Sequence, residues 1–184
     1  MVKNASLVYK LYEYLWFTWK KILEEIKTFK GLRRRQEYLW KFRKLDIYSD
    51  YAHHPTEINS VYKAFKEKFP KEKLIGVFQP HQLFRFVSYE KDFIESLKQF
   101  DEIYIYNIYS VREDNLIRKL ANNNLPKNEQ IKEIGENIAK KVNWQYIDNF
   151  NKLTENLENK EGILVIMTAW DLDYKIRNFL NKKP

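Results

Sequence analysis

The residues able to do chemistry lie in three short stretches. The chain has three histidines, two of them adjacent: Ser49 to Ile58 reads SDYAHHPTEI, with Asp50 and Tyr51 ahead of His53 and His54 and Pro55 behind. The third, His81, lies in FQPHQLFRF together with Arg85. Arg33, Arg34 and Arg35 run into Gln36 and Glu37. An imidazole titrates near neutrality and can bind, relay a proton or ligate a metal. Arginine presents a planar fork suited to phosphate or carboxylate. Zinc needs three or four well-placed ligands. His53, His54, His81 and Asp50 reach that number, but adjacent histidines rarely face one ion, so no metal is assigned. His54, beside Pro55, reads as well as a structural residue, capping the helix or packed beneath the loop, as it does as a functional one, whereas the edge location of His53 and His81 favours function. The four glycines form neither Gly-x-x-x-x-Gly-Lys-Ser/Thr nor Gly-x-Gly-x-x-Gly, so this chain does not itself cradle β- and γ-phosphates.

The elements that must carry these residues follow from periodicity. Leu7, Val8, Leu11 and Leu15 share one helical face, and Ile22, Leu23, Ile26 and Phe29 another, with Gly31 as the stop. GLRRRQEYLW passes into an extended segment, and KLDIYSDYA alternates as a strand ending near Ser49. A helix runs from Thr56, expected to cap it, to the residue before Pro70. KLIGVF, EIYIYNIY and ILVIM are apolar, β-rich strands, with a short one at QYI. QPHQLFRF is expected as a loop and NNNLPKN as a turn. Helices are expected over 89–100, 112–121, 129–142, 150–159 and 171–180. Strand–helix alternation predicts a three-layer, Rossmann-like α/β fold with a mostly parallel sheet and helices on both faces. Ligands of such sheets sit beyond the carboxyl ends of the strands. Asp50 to Pro55, Gln79 to Arg85 and Asn107 to Glu113 each follow a strand, so they should gather on one edge. A single domain is expected from about residue 31, with residues 1–30 as a helical lead-in.

With 184 residues, 44% hydrophobic and 32% charged, the composition is that of a globular domain with a real core. There is no cysteine, hence no disulfide framework or thiolate metal site. The apolar runs are too short to span a bilayer, and Lys10 and Glu13 interrupt any secretory pattern. These features suit the cytoplasm, with no membrane partner. The net charge of +8 raises affinity for anions. Its scatter along the helices makes nucleic acid a disfavoured partner.

SDYAHHPTEI resembles the Asp-Asp-Tyr-Ala/Gly-His-His-Pro-Thr-Glu motif of the Mur ligases. FQPHQLFRF resembles the Phe-Gln-Pro-His-Arg-x-x-Arg-Thr loop of one branch of that family. FKGLRRRQE resembles the entry into their C-terminal domain, FDEIYIYNIYSVRE a later strand and loop, and ILVIMTAWDL the last strand with its Met-Gly-Ala-Gly-Asp turn. The matches fall in order over nearly the whole chain and favour the branch joining L-alanine to UDP-N-acetylmuramate. The resemblance implies a peptidoglycan-building ligase that uses ATP and Mg²⁺ to form an acyl phosphate, which the amino acid's amine attacks. Its C-terminal domain closes over the site. Carried over by motif position, Arg35 would meet ATP phosphate and act in catalysis, and Asp50 would meet the nucleotide. Tyr51, His53, His81 and Arg85 would serve the amino-acid end. The ATP-binding central and UDP-sugar domains have no counterpart here, so partners in cis or trans are implied and the fragment alone is expected to be inactive. Residues 1–30 would then be the end of the central domain. The alternative is a non-catalytic binding module of Mur type. Gln82 stands where the motif has Arg, Phe86 for Thr, Ser49 for Asp and Asn107 for Asp.

Five tryptophans are present. Trp170 takes the second Gly of the Gly-Ala-Gly-Asp turn, and Trp16 follows a helix where a C′ glycine is expected. Trp19 and Trp40 fall where relatives often carry Gly, and Trp144 lies in a loop. Two explanations stand open: true aromatics, or UGA codons that the cell reads as glycine.

Overall fold

The computed structural model describes residues 2–29, 31–121 and 124–181, so Asn122 and Asn123 of the expected NNNLPKN turn lie outside the described residues. The chain divides into two compact units, Met1–Arg33 and Arg34–Pro184.

The first unit contains α1 (Val2–Tyr14) and α2 (Trp19–Thr28). The α1 helix ends in a complete Schellman motif. Phe17 N–H donates to Tyr12 O at 3.0 Å and Trp16 N–H to Glu13 O at 3.1 Å, with the Tyr12 and Phe17 rings 5.0 Å apart. Trp16 is therefore the C′ residue, at φ 63°, and its side chain is 94% exposed. Trp16 alone of the five tryptophans has a positive φ. Trp144 packs against the main core, and Trp170 stacks on Tyr109.

The second unit carries β1 (Glu37–Phe42), β2 (Lys44–Asp50), α3 (Pro55–Lys68), β3 (Leu74–Gln79), α4 (Leu83–Ser88), α5 (Glu90–Leu97) and β4 (Glu102–Tyr106). There follow α6 (Asp114–Leu120), α7 (Lys127–Lys141), β5 (Gln145–Ile147), α8 (Phe150–Leu157), β6 (Glu161–Thr168) and α9 (Leu172–Asn181). The sheet order is β1-β2-β6-β3-β4-β5. Only β1 is antiparallel; β2, β6, β3, β4 and β5 run parallel. Alternation divides the core. Leu74, Phe78, Ile103, Ile105, Ile163, Val165 and Met167 face α3 to α7. Leu45, Ile47, Ile75, Val77, Tyr104, Leu164 and Ile166 face α8 and α9. All six residues of β3 are buried, because a parallel strand covered on both faces reads as one apolar run. The fold is the expected α/β architecture with helices on both faces.

Two local expectations change. The extended segment after the arginine run is a separate edge strand, β1, whose register shifts between Tyr38 and Trp40. Part of the expected loop QPHQLFRF is helical, since Leu83–Ser88 forms α4. A distant carboxylate supplies the missing signal.

Candidate functional site

The carboxyl ends of β2, β6, β3 and β4 form one rim, and it begins at a strained turn. Arg34 and Gln36 have φ 57° and 48°, a region that costs a non-glycine residue about 1–2 kcal/mol. Neighbours hold the turn in place. Glu37 Oε2 accepts Arg34 N–H at 2.7 Å, Tyr51 N–H donates to Arg34 O at 2.8 Å, and Asp50 Oδ2 accepts Gln36 N–H at 2.9 Å. The turn sends the two arginines apart. Arg34 points inward, donates to Thr168 O at the end of β6, and lies 3.9 Å from Asp173 and 4.6 Å from the Tyr51 ring centre. Arg35 is exposed, with its guanidinium 5.6 Å from the other residues' shared platform, the Tyr51 ring.

Asp50 is 3% exposed; its Oδ1 accepts Ala52 N–H at 2.8 Å. Burial raises its pKa, against the two amides and the charge of Arg35. With one bond on each oxygen, a lone pair remains on both. Beside it, Ser49 Oγ donates to Asp173 Oδ1 at 2.6 Å, and Arg177 ties Asp173 to Glu37.

The adjacent histidines part company. His54 caps α3: its Nδ1 lies 3.5 Å from Thr56 N and 3.0 Å from Thr56 Oγ1. His54 thus holds the capping role expected of Thr56, and Pro55 follows at the first helical position, where its missing N–H costs nothing. His53 Nδ1 lies 3.1 Å from Tyr51 O and 3.3 Å from Glu57 Oε2, while Glu57 also accepts His53 N–H at 2.9 Å. With its proton on Nδ1, His53 donates to Tyr51 O and keeps Nε2 as an acceptor.

His81 forms a bridge with Tyr109. Tyr109 N–H donates to Pro80 O at 2.9 Å and Gln82 N–H to Tyr109 O at 2.8 Å, which straps the loop after β3 to the loop after β4. Burial lowers the His81 pKa, as do the charges of Arg85 and His53, against Glu113. The ring is therefore mostly neutral at pH 7. Arg85 donates to Gln82 Oε1 at 3.1 Å. The rings make a continuous path: Tyr51 to His53 is 5.3 Å, His53 to His81 6.4 Å, His81 to Tyr109 5.2 Å and Tyr109 to Trp170 4.0 Å. The structure thus brings Arg35, Tyr51, His53 and His81 onto one edge, with Arg85 beside His81 and Asp50 beneath.

Several residues of the rim were given no role by the sequence, although Gln79 and Glu113 lie in the loops it placed there. Buried Gln79 donates to Asp171 Oδ1 at 2.8 Å, and its Oε1 accepts from Thr168 Oγ1 at 2.6 Å and Leu172 N at 3.3 Å, so it fixes the turn bearing Trp170. Glu113 accepts Leu83 and Phe84 N–H at 2.8 Å each. Arg34, one of three in a row, could not be told from its neighbours without the turn geometry. Among the described residues no group of three or more His, Asp or Glu side chains is placed to hold a metal ion. The rim offers an exposed cation, a neutral imidazole and a second arginine, a set suited to receiving anions and an amine-bearing ligand.

Residues 34–169 match the family described as Mur ligase, glutamate ligase domain. A UDP-N-acetylmuramate–L-alanine ligase of Caldicellulosiruptor saccharolyticus is 36% identical over 166 residues, which cover 89% of this chain and 34% of that protein. The corresponding ligase of Flavobacterium johnsoniae is 48% identical over 92 residues, 50% of this chain and 20% of the relative. The chain therefore spans about a third or less of these relatives. UDP-N-acetylmuramate–alanine ligase MurC of Thermotoga maritima shares the fold at a TM-score of 0.68 and 22% identity, over 98% of this chain and 37% of that one. Over most of its length, and with the rim at the expected strand ends, the chain belongs to the Mur ligase C-terminal, or glutamate ligase, domain family.

Proposed function

We propose that this domain is the closing half of an ATP-dependent UDP-N-acetylmuramate–L-alanine ligase acting in peptidoglycan synthesis in the cytoplasm. The observation that carries the reading is the gathering of Arg35, Tyr51, His53 and His81 along one rim. ATP with Mg²⁺ would supply the phosphoryl group that activates the sugar's carboxylate. The residues present suit the outer side of such a site: a cation free to meet phosphate, but no glycine loop to cradle it. Nucleotide and metal would therefore be held mainly by the central domain. No helix among the described residues is long and apolar enough to cross a membrane.

In this mechanism Arg35 approaches the phosphate when the domains close and stabilises developing negative charge. Asp50 braces the Arg35 turn and keeps one lone pair per oxygen for a nucleotide hydroxyl. Arg85 offers charge to the amino acid's carboxylate. Neutral His81 and the free nitrogen of His53 line the amine's approach, where a neutral imidazole can accept a proton. Tyr51 carries the arginine and histidine on one ring. Closure orients the reactants and excludes water. Residues 1–30 would complete the central domain; an apolar stripe left in solvent supports this, with Leu7 72%, Leu11 54% and Leu15 53% exposed. The partners are then that domain, the UDP-sugar domain, UDP-N-acetylmuramate and L-alanine.

The test is a ligase reconstituted with ATP- and UDP-sugar-binding domains. His81→Ala should raise the amino-acid KM about tenfold or more, the cost of one charge-assisted or imidazole contact. An unaltered KM would reject this placement of the amino-acid pocket. No ligation with any added domains would instead favour a binding module.

A further inference from the structure

We propose that Glu113 is the positioning residue of this rim: its carboxylate clamps the wall that carries His81 and Arg85. The clamp is a property of this chain, and only its link to an amino-acid substrate rests on the ligase reading. Glu113 starts α6, and its carbonyl accepts Leu116 and Ile117 N–H at 3.0 Å each. The side chains that usually occupy that position, Ser, Thr, Asp and Asn, turn onto their own helix. Here the side chain makes no such bond. It crosses to α4, where Oε2 accepts Leu83 N–H and Oε1 accepts Phe84 N–H, both at 2.8 Å. Ser110 Oγ donates to the same carboxylate.

The clamp has a structure to hold. Gln82, immediately before the two amides, has φ 71°, a conformation that favours relaxation in a non-glycine residue. His81 precedes that residue and Arg85 follows it by one helical turn, so both side chains hang from the Glu113 contact. A charge-assisted bond to two consecutive amides is strong enough to oppose the strain. Glu113 touches neither reacting groups nor nucleotide in this scheme. It acts through the loop.

The experiment uses the ¹⁵N-labelled chain and Glu113→Gln, which keeps the size but removes the charge and one of two acceptor oxygens. Leu83 and Phe84 amides should exchange roughly tenfold faster or more, while amides of β3 and β6 keep their protection. The His81 ring should titrate at lower pH, because Glu113 favours the imidazolium against Arg85 and His53. In the reconstituted ligase the amino-acid KM should rise about tenfold and the KM for UDP-N-acetylmuramate should stay unchanged. Unchanged exchange with unchanged His81 titration would overturn the clamp, whereas faster exchange with an unaltered amino-acid KM in an active ligase would overturn its role in positioning the amino-acid pocket. If the reconstituted wild type does not ligate, the ligase reading fails, and the two measurements on the chain still decide the clamp. If Glu113→Gln does not fold, Ser110→Ala removes only the hydroxyl donor; a smaller rise at the same two amides supports the clamp, and no rise refutes it.

Discussion

At the scale of single residues, the chemistry lies in which neighbour of a pair points out. Arg34 and Arg35 are adjacent and identical in type, yet one is inserted against Thr168 and the other stands in solvent. His53 and His54 divide in the same way between rim and cap. The histidine pair was partly legible, since Pro55 announces a helix start with a cap just before it. The arginines were not, because their division depends on left-handed φ at Arg34 and Gln36, which nothing in their side chains announces. Trp16 was legible by another route: a helix ending without glycine predicts a misfit at C′. Its φ of 63° leads to a direct prediction. Trp16→Gly should stabilise the end of α1 by about 1 kcal/mol. The Trp16 and Phe17 positions should then show amide exchange roughly fivefold slower. Faster exchange would mean that the indole contributes more than the backbone loses. Peptide masses from the native source would show whether position 16 is glycine or tryptophan in the cell.

At the scale of elements, the long apolar runs and the helical stripes of the second unit were readable because each buries its own face. The β3 and β6 runs are the clearest, since they lie at the centre of the sheet with both sides covered. What escaped was α4, whose N-terminal partner lies 29 to 30 positions away in Glu113. Six residues are too few to make a helix by propensity alone. The docking of α7 on β5 also turns on one position. A Cβ at Gly135 would stand 2.2 Å from the Tyr146 ring, so α7 can approach β5 only where no side chain intervenes. Gly135→Ala should cost about 1–3 kcal/mol and lower the melting temperature by several degrees. Adding Tyr146→Leu should recover part of that loss, since contacting residues do not add independently. A melting temperature equal to wild type would show that the ring shifts freely.

At the scale of the whole molecule, charge governs both acid stability and the reading of function. Glu102 has its pKa lowered to about 2, because bonds from Lys160, Tyr104 and Lys73 outweigh burial. Asp148 is likewise lowered to about 2, led by its bond from Lys132. Carboxylates depressed in the folded state contribute stability fully above their ordinary values, near 4.5 and 3.8, and lose it as the pH falls toward 2. The melting temperature should therefore fall steadily over that window. The deficit of Lys160→Met relative to wild type should be widest at neutral pH and shrink toward pH 2; a constant deficit would remove Glu102 from the acid response. Such pairs cancel charge one for one and leave the excess of +8 as it is, and Arg35 remains exposed where an anionic ligand can reach it. The claim on which the functional account depends is that this rim is one half of a ligase site. The most direct measurement is L-alanine-dependent phosphate release by the chain joined to ATP- and UDP-N-acetylmuramate-binding domains, for wild type and Arg35→Ala. The account predicts turnover that requires this chain and falls on the order of a hundredfold or more in Arg35→Ala, with the melting temperature unchanged. Equal turnover in the two proteins, or phosphate release that does not need the chain, would contradict it.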